Sequence, residues 1–160
     1  MATTIRKTTG RPARTQDAIA LLKADHKTVS ALFEEFQKSR SAGKKKKLVE
    51  QICTELTVHT EIEEEIFYPA VKAALKDQEM VPEANVEHAS IKELIAQVKG
   101  AEPGGEMYNA RVKVMSEFVK HHVKEEQNEM FPRARKSKLD MSALGDEMAS
   151  RKAELLAAAG

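Results

Sequence analysis

The sequence predicts an all-α fold, an antiparallel up-down-up-down bundle of four helices with a short fifth helix at the C-terminus. Apolar residues recur at steps of three and four along almost the whole chain, which is the period of an α-helix. The 160 residues include only 7 Gly and 5 Pro, too few turn-forming residues for a multi-stranded sheet. Short connections separate the periodic segments, and such connections favour antiparallel neighbours.

The first two helices form a predicted hairpin. The first helix spans about residues 17–40, with Thr15 as its N-cap. The second begins near Lys44 and is disturbed at Pro69, because proline lacks the N–H that a helix interior needs. The inward faces consist of Ile19, Leu22, His26, Val29, Phe33 and Phe36 in the first helix, and of Leu48, Ile52, Leu56, His59, Glu63, Ile66 and Ala70 in the second.

A second hairpin follows in the other half of the chain. Its helices span about residues 82–99 and 106–138, separated by the glycine-rich segment 100–105. A fifth helix is predicted from a cap at Asp140 to about Ala158. The inward faces of the second hairpin consist of Val81, Ala84, His88, Ile91, Ile95 and Val98, and of Val112, Met115, Val119, His122, Glu126 and Met130.

Composition and charge limit the function classes. We divide the chain into a flexible basic tail over 1–15, a bundle over 16–138 and a helical extension over 139–160. The tail contributes +4 to a total of +1, which leaves −3 on the remaining residues and no basic footprint for nucleic acid. No apolar stretch is long enough to span a membrane, and the lone Cys53 is typical of a reducing compartment. We therefore expect a cytoplasmic protein without membrane or nucleic-acid partners.

The two hairpins repeat one pattern of histidine and glutamate. Each has a histidine on its first helix, directly after Asp25 or Glu87, and a His-x-x-x-Glu pair on its second helix. The two histidines are 33 positions apart in the first hairpin and 34 in the second, and a proline follows ten positions after the second histidine in both. The residues are His26, His59 and Glu63 in the first hairpin, and His88, His122 and Glu126 in the second.

These six polar residues stand on inward faces, where apolar residues are expected. Residues four apart point the same way from adjacent turns of a helix. Unpartnered neutral groups cost about 1–3 kcal/mol each when buried, and carboxylates cost more. Metal ions would compensate, because imidazole and carboxylate are good ligands for iron, manganese and zinc, and a carboxylate can bridge two ions. The pattern therefore predicts a two-metal site.

One other reading remains open for this set. The cluster could be a set of mutually satisfied polar residues in an interaction bundle without metal, in which Leu144, Met148 and Leu155 cover the bundle or bind a protein partner. His121 lies about 100° away from the inward face and has no counterpart in the first hairpin. We therefore expect His121 to be exposed and place it outside the metal site.

On the six residues of the repeat the sequence resembles the hemerythrin family, in its HHE cation-binding branch. The motif His…His-x-x-x-Glu…His…His-x-x-x-Glu covers residues 17–138. The resemblance implies a four-helix bundle around a non-haem di-iron centre. In that centre both glutamates bridge the irons, and the two histidines of each hairpin bind one iron. It also implies O₂ binding at an open iron position.

Two departures from the oxygen-carrying hemerythrins affect the expected reactivity. Those proteins have a further histidine four residues after the third-helix histidine, where this chain has Lys92. Their fourth helix usually pairs histidine with aspartate at a five-residue step, where this chain has His122 and Glu126 at four. One iron then lacks a protein ligand, and water, Glu125 or Glu129 would complete its coordination.

Three functions follow as expectations. The first is a di-iron protein, with manganese or zinc as less favoured metals, that binds or reacts with O₂ or a related oxidant in sensing, scavenging or stress defence. A sensor of this kind would need a separate protein partner. The second is an enzyme that decomposes hydrogen peroxide or reduces nitric oxide. The third is iron storage, although ferritin-like bundles carry Glu-x-x-His at a three-residue step.

Overall fold

The computed structural model describes residues 16–160, which are helical throughout apart from short connections and contain no strand. The predicted tail over 1–15 and the predicted cap Thr15 lie outside the described residues. In chain order the elements are α1 (Ala18–Lys38), α2 (Ala42–Ile62), a π-helical turn π1 (Glu63–Phe67), α3 (Tyr68–Leu75), α4 (Met80–Lys99), α5 (Glu106–Glu125), a second π-helical turn π2 (Glu126–Met130), α6 (Phe131–Lys136) and α7 (Met141–Ala159).

These elements build a four-helix bundle, as predicted. The elements α2, π1 and α3 continue one another as a single rod, and so do α5, π2 and α6. The helix α1 packs along α2 and α4 packs along α5, so each half is a hairpin, while contacts of α2 with α4 and of α1 with α5 join the halves. Among the helices described, none combines the length and apolar character that a membrane span requires.

The ends of the first two helices differ slightly from the prediction. Asp17 caps α1, because its side chain accepts a hydrogen bond from the N–H of Ala20 at 2.8 Å. The helix α1 ends at Lys38, and Ser41 caps α2, which begins at Ala42 and therefore earlier than predicted. Aspartate and serine favour these positions, since their side-chain oxygens satisfy N–H groups that lack a partner in the first turn.

Each long rod contains one π-helical turn, at equivalent places in the repeat. In π1 the N–H of Tyr68 donates to the carbonyl of Glu63, five residues earlier. Pro69 follows directly, and proline cannot donate to the preceding turn. The wider turn accommodates it inside a continuous rod, and π2 repeats the arrangement before Pro132.

The π1 turn changes which residues face inward after Glu63. We predicted Ile66 and Ala70 on the inward face, and both are only half-buried. Phe67 and Tyr68 are buried in their place. One extra residue in a turn shifts the helical register by about 100°, so both residues are displaced from the middle of the inward face, although Ile66 still packs against an apolar cluster that includes Phe67.

Two apolar clusters fill the interior above and below the inward histidines. The cluster above them, called the upper cluster, includes Ile52 and Met115, and the one below includes Leu22, Ile62 and Phe67. On all four helices of the bundle, the inward histidine lies between a residue of one cluster and a residue of the other. Close-packed interiors of this kind resist deformation, so the clusters hold the polar residues between them at fixed separations.

The helix α7 covers the second of these clusters. Asp140 caps it as predicted, accepting a hydrogen bond from the N–H of Ala143 at 2.9 Å. Met148 is fully buried, and Leu144 and Leu155 pack against the same cluster. The three apolar residues that we considered as a cover for the bundle or for a partner therefore contact their own bundle.

Gly145 allows α7 to approach the start of α1 closely. A Cβ at this position would lie 2.8 Å from the carbonyl carbon of Asp17 and 2.9 Å from the nitrogen of Ala18, and closer still to the carbonyl oxygen of Gln16. We expect Gly145→Ala to lower the free energy of unfolding by about 2 kcal/mol, because backbone must move. Thermal unfolding followed by circular dichroism measures this. Gly43→Ala is the control, since a Cβ there meets no atom closer than 3.9 Å and Gly43 lies inside α2, where alanine is favoured. Equal melting of both variants would contradict the prediction.

Candidate metal centre

The six histidines and glutamates of the repeat meet at one level of the bundle. Each is at most 8% exposed, so the structure brings together all of the residues that the repeat singled out. Each hairpin contributes two imidazoles and one carboxylate. They are His26 on α1, His59 near the end of α2, Glu63 at the start of π1, His88 on α4, His122 near the end of α5 and Glu126 at the start of π2.

The His-x-x-x-Glu pairs lie side by side on their helices, as their spacing requires. The Nε2 atom of His59 is 2.9 Å from Oε1 of Glu63, and Nε2 of His122 is 3.2 Å from Oε2 of Glu126. Both pairs sit where an α-helix passes into a π-helical turn. The turn therefore begins at the carboxylate and leaves the histidine in regular helical geometry.

Each glutamate also reaches a histidine of the other hairpin. Oε1 of Glu63 is 3.4 Å from Nε2 of His88, and Oε1 of Glu126 is 3.3 Å from Nε2 of His26. Both carboxylates thus lie between histidines of different hairpins. This is the placement that a carboxylate bridging two ions requires.

Two sets of three residues could each hold a metal ion. Within each set, the candidate ligand atoms lie within 4.8 Å of one another. Each set combines two imidazoles with one carboxylate, a donor set that suits several transition metals. The sets are His26, His59 and Glu126, and Glu63, His88 and His122.

Several atoms at the centre are buried without a hydrogen bond. Among the described residues they are Nε2 of His26 and His59, both carboxylate oxygens of Glu63, and Oε1 of Glu126. His59 and Glu63 stand at ion-pair distance, but the contact does not have the geometry of a hydrogen bond. Buried polar groups normally have partners, and a buried charge needs pairing or a metal. A cation between these atoms would supply that partner, so the residues fit a metal centre.

The acids that precede the first histidine of each hairpin orient the second histidine. Nδ1 of His59 donates to Oδ2 of Asp25 at 2.9 Å, and Nδ1 of His122 donates to Oε1 of Glu87 at 3.0 Å. A ligating histidine is commonly held in this way by a carboxylate on its other nitrogen, which fixes the tautomer and the ring orientation. These bonds direct Nε2 of each ring toward the centre.

The other two histidines are held by the residues that follow the glutamates. Nδ1 of His26 donates to Oε1 of Gln127 at 2.7 Å, and Nδ1 of His88 donates to Oε2 of Glu64 at 3.3 Å. Lys92 donates to both oxygens of Glu64, at 2.7 and 2.9 Å. The residue that replaces a ligand of the oxygen carriers therefore contributes to this outer set of hydrogen bonds and does not point into the centre.

Tyr68 is a residue of the centre that the sequence analysis missed. Its hydroxyl donates to Oε2 of Glu126 at 2.5 Å, and it lies 3.2 Å from Nε2 of both His88 and His122. The equivalent residue of the second half is Phe131, whose ring stacks on His26 at a centroid distance of 6.0 Å. The repeat alone could have drawn attention to Tyr68. Directly before the proline, the first half has a tyrosine with a polar hydroxyl where the second half has the apolar Phe131.

The two carboxylates that we considered as additional ligands lie away from the centre. Glu125 contacts the exposed ring of His121 at 3.2 Å, and Glu129 is exposed. His121 itself is exposed, as predicted. The hydroxyl of Tyr68, by contrast, lies 3.2 Å from the Nε2 atoms of His88 and His122, on the side of these rings that faces the centre.

Comparison with known families agrees with this geometry. The family model of the hemerythrin HHE cation binding domain matches residues 17–134, which is most of the chain. The protein belongs to the hemerythrin family. It is a hemerythrin-like cation-binding domain whose histidine and glutamate groups could hold a metal.

Two individual proteins are similar to this hemerythrin-like chain. A crystal structure of a hemerythrin HHE cation binding domain-containing protein from Mycobacterium kansasii superposes with a TM-score of 0.77 at 22% identity, covering 89% of both chains, and this likeness shows the fold. A DNA nickase from Nostoc sp. (strain PCC 7120) is 32% identical over 111 residues. Those residues are 69% of this chain and 31% of the nickase, so the chain spans about a third of that relative.

The electrostatics of the hemerythrin-like centre place protons on His59 and His122 when no metal is bound. Burial alone would lower the pKa of His59, but Glu63 and Asp25 outweigh it and raise the pKa to about 10. Burial likewise opposes the charge on His122, but Glu126 and Glu87 outweigh it and raise the pKa of His122 to about 11. At neutral pH these imidazolium groups balance the buried carboxylates, so metal ions must displace protons in order to bind.

Proposed function

We propose that this hemerythrin-like centre holds two iron ions and binds or reacts with O₂ or a related small oxidant, in sensing, scavenging or stress defence. The buried carboxylate and imidazole atoms that lack hydrogen bonds are the observation that supports it most strongly. The nitrogen and oxygen donor set suits iron, and manganese or zinc would bind to the same atoms. Glu63 and Glu126 would lie between the ions, with the two histidines of each hairpin on one ion.

A small cavity beside the centre supports reaction with a small apolar molecule. It is bounded by all four inward histidines and by apolar residues of the upper cluster, and it has room for about one water-sized molecule. Its apolar walls are Val29, Leu56, Ile91, Val119 and Val123. A diatomic gas such as O₂ or nitric oxide suits a cavity of this size and polarity better than a charged substrate does.

The protein residues around this cavity hold the donor atoms in place and exclude bulk water. Asp25 and Glu87 orient the rings of His59 and His122, and the upper apolar cluster closes the centre on one side. Burial, Glu63 and Glu126 together raise the pKa of Tyr68 well above its usual value, so its hydroxyl keeps a proton at neutral pH. Iron, when bound, would supply the electrons and the open coordination position for an oxidant.

Peroxide decomposition or nitric oxide reduction is the second candidate, and Tyr68 favours it. Reduction of either molecule consumes protons, and the hydroxyl of Tyr68 holds one 3.2 Å from the Nε2 atoms of His88 and His122. The position of this hydroxyl meets the geometric requirement for a proton donor, because it lies within hydrogen-bond reach of the ligand atoms of the centre. We do not extend the nicking activity of the Nostoc relative to this chain, because the match covers 31% of that protein.

The test is metal analysis combined with absorption spectroscopy. Protein loaded anaerobically with Fe²⁺ should hold iron in the buried centre and develop a near-ultraviolet charge-transfer band when O₂ is added. Zinc-loaded protein is the control, because Zn²⁺ has no redox chemistry and should leave the spectrum unchanged. Iron content well below one ion per chain, or a spectrum that ignores O₂, peroxide and nitric oxide alike, would overturn the proposal.

Tyr68→Phe tests the role of the hydroxyl in any turnover of peroxide. We expect the iron content to stay at the wild-type level and peroxide turnover to fall about 100-fold, the usual contribution of a general acid. Tyr108→Phe is the matched control, because Tyr108 is buried in the upper apolar cluster, away from the centre. Equal turnover in the two variants would show that the hydroxyl of Tyr68 plays no part in the reaction.

A further inference from the structure

The two halves of the repeat differ in what covers them. The helix α7 lies over the first hairpin, where Lys152 donates to Asp25 at 2.5 Å and Arg151 pairs with Glu65 at 2.8 Å. Val58 and Ile62, the residues directly before His59 and Glu63, are buried there. The first hairpin is thereby closed, and the acid that orients its histidine has a lysine partner.

The equivalent positions of the second hairpin hold polar side chains instead of apolar ones. His121 stands where the first half has Val58, and Glu125 stands where it has Ile62. Glu87 is the counterpart of Asp25, but among the residues that the structure describes no lysine or arginine pairs with it. The uncovered hairpin thus presents a histidine and two carboxylates where the covered one presents apolar residues and a neutralised acid.

These three side chains converge on one point at the surface. Nε2 of His121 is 3.2 Å from Oε1 of Glu125 and 3.6 Å from Oε2 of Glu87, and one ligand atom of each lies within 4.8 Å of the others. The ring of His121 is 64% exposed and the two carboxylates are half-buried. Glu87 also uses its other oxygen to accept from His122, so a single carboxylate joins this cluster to the buried centre.

A narrow cleft with room for about one water-sized molecule leads inward beside Glu87 and Glu125. Four glutamates line it at the surface, namely Glu83, Glu87, Glu125 and Glu129, and His122 and Glu126 lie at its floor. Glu126 is 2% exposed, and although its Oε2 accepts from Tyr68, its Oε1 makes no hydrogen bond, so a buried carboxylate oxygen without a hydrogen-bond partner stands at the inner end. A cleft lined by one sign of charge concentrates counter-ions and speeds their arrival.

We propose that Glu87, His121 and Glu125 form a separate surface site for a divalent transition-metal ion, from which ions pass along the glutamate-lined cleft into the buried centre. One imidazole and two carboxylates match the donors that Fe²⁺ and Zn²⁺ take, with water completing the coordination. The surface site rests on its own three residues. Its role in loading rests on the metal binding proposed above for the buried centre.

The experiment uses metal-free full-length protein, with Co²⁺ as an absorbing probe and Fe²⁺ under anaerobic conditions. His121→Ala and the double variant His121→Ala/Glu125→Gln remove the surface site and leave the buried residues intact. Both should lose one weakly bound Co²⁺ and should reach the wild-type final metal content. They should load the buried centre about tenfold more slowly, because ions are no longer captured and concentrated at the mouth of the cleft. Glu117→Gln, an exposed acid on α5, is the matched control and should load at the wild-type rate.

The outcomes separate this proposal from the proposed function. His59→Ala disrupts the buried centre but should still bind the weak surface Co²⁺, so a failure of the buried centre leaves the surface site testable. Variants at His121 that load as fast as Glu117→Gln and bind as much weak Co²⁺ would overturn the surface site. A lower final metal content of the buried centre in the His121 variants would also overturn the surface site, because His121 would then belong to that centre.

Discussion

Replacing His59 with alanine should remove at least half of the metal from the buried centre and most of the stability that metal confers. A ligand that binds only the folded state at a thousand times its Kd adds about 4 kcal/mol, which for a chain of this size raises Tm by roughly 10 °C. We expect wild-type protein to show a shift of this order between its metal-free and iron-loaded forms. The His59→Ala variant should show little shift, because one set of ligands has lost an imidazole.

Two further variants separate the loss of a ligand from the loss of packing. Glu126→Gln keeps the side-chain volume and removes the charge, and we expect it to lose metal as His59→Ala does. Thr57→Ala changes an exposed residue on the same helix as His59 and should retain wild-type metal content and the full shift in Tm. The centre would have been assigned wrongly if all three variants held as much iron as wild type. Elemental analysis measures the metal content of each variant, and differential scanning calorimetry measures its Tm.

The sequence was sufficient to predict the bundle and the convergence of its inward polar residues because both depend on helical periodicity. Apolar steps of three and four place His26, His59, His88 and His122 on inward faces, and an exact repeat of offsets is difficult to explain without a shared site. Short connections then leave little choice of topology. The four-helix bundle follows from this arithmetic, which regular α-helices obey.

The sequence prediction failed where the helix is not regular. Tyr68 enters the centre because π1 adds a residue to the turn, which moves Ile66 away from the middle of the inward face. A period of 3.6 residues cannot predict this shift, although Pro69 gave a reason to expect a disturbance. The loss of a ligand at Lys92 was visible, but its contact with Glu64 depends on the packing of two helices and cannot be read from one of them.

The asymmetry between the halves was also beyond the reach of periodicity. Periodicity predicted a fifth helix but not which hairpin α7 would cover, and the close approach at Gly145 and the bond from Lys152 to Asp25 appear only in the fold. Once α7 lies over the first hairpin, the cleft beside His121 is the acidic opening toward the centre that the second hairpin retains. The uneven cover over a duplicated site thus leaves the second hairpin with an acidic surface that the first hairpin lacks.

Metal-free protein should be most stable in mildly acidic solution and should lose stability as the pH rises toward 10. The pKa of His59 is raised to about 10, because Glu63 and Asp25 outweigh the opposing effect of burial. Unfolded histidine titrates near 6.5, so this stabilisation is fully present below that pH and is lost as the pH rises through 10. The pKa of Glu63 is lowered, since His59 and His88 outweigh its burial, so its stabilisation is present above about 4.5 and is lost as the pH falls.

Urea unfolding of the metal-free protein at a series of pH values measures how much stability is lost as the pH rises. Each imidazole that titrates should lower the free energy of unfolding by about 1 kcal/mol per pH unit above 6.5, and His122, with a pKa of about 11, should add to the effect of His59. The variant His59→Gln should show a shallower dependence than wild type. An equal slope in both would mean that His59 is not the group responsible.

Iron-loaded protein should show the opposite trend with pH, and this contrast distinguishes a metal centre from a network of ion pairs. Binding at pH 7 must release roughly two protons, one each from His59 and His122, so metal affinity rises as the pH rises. The metal then replaces those protons as the counter-charge of Glu63 and Glu126 and maintains stability where the metal-free form loses it. If the free energy of unfolding depended on pH in the same way in both forms, the buried cluster would be a structural network of ion pairs that does not bind metal.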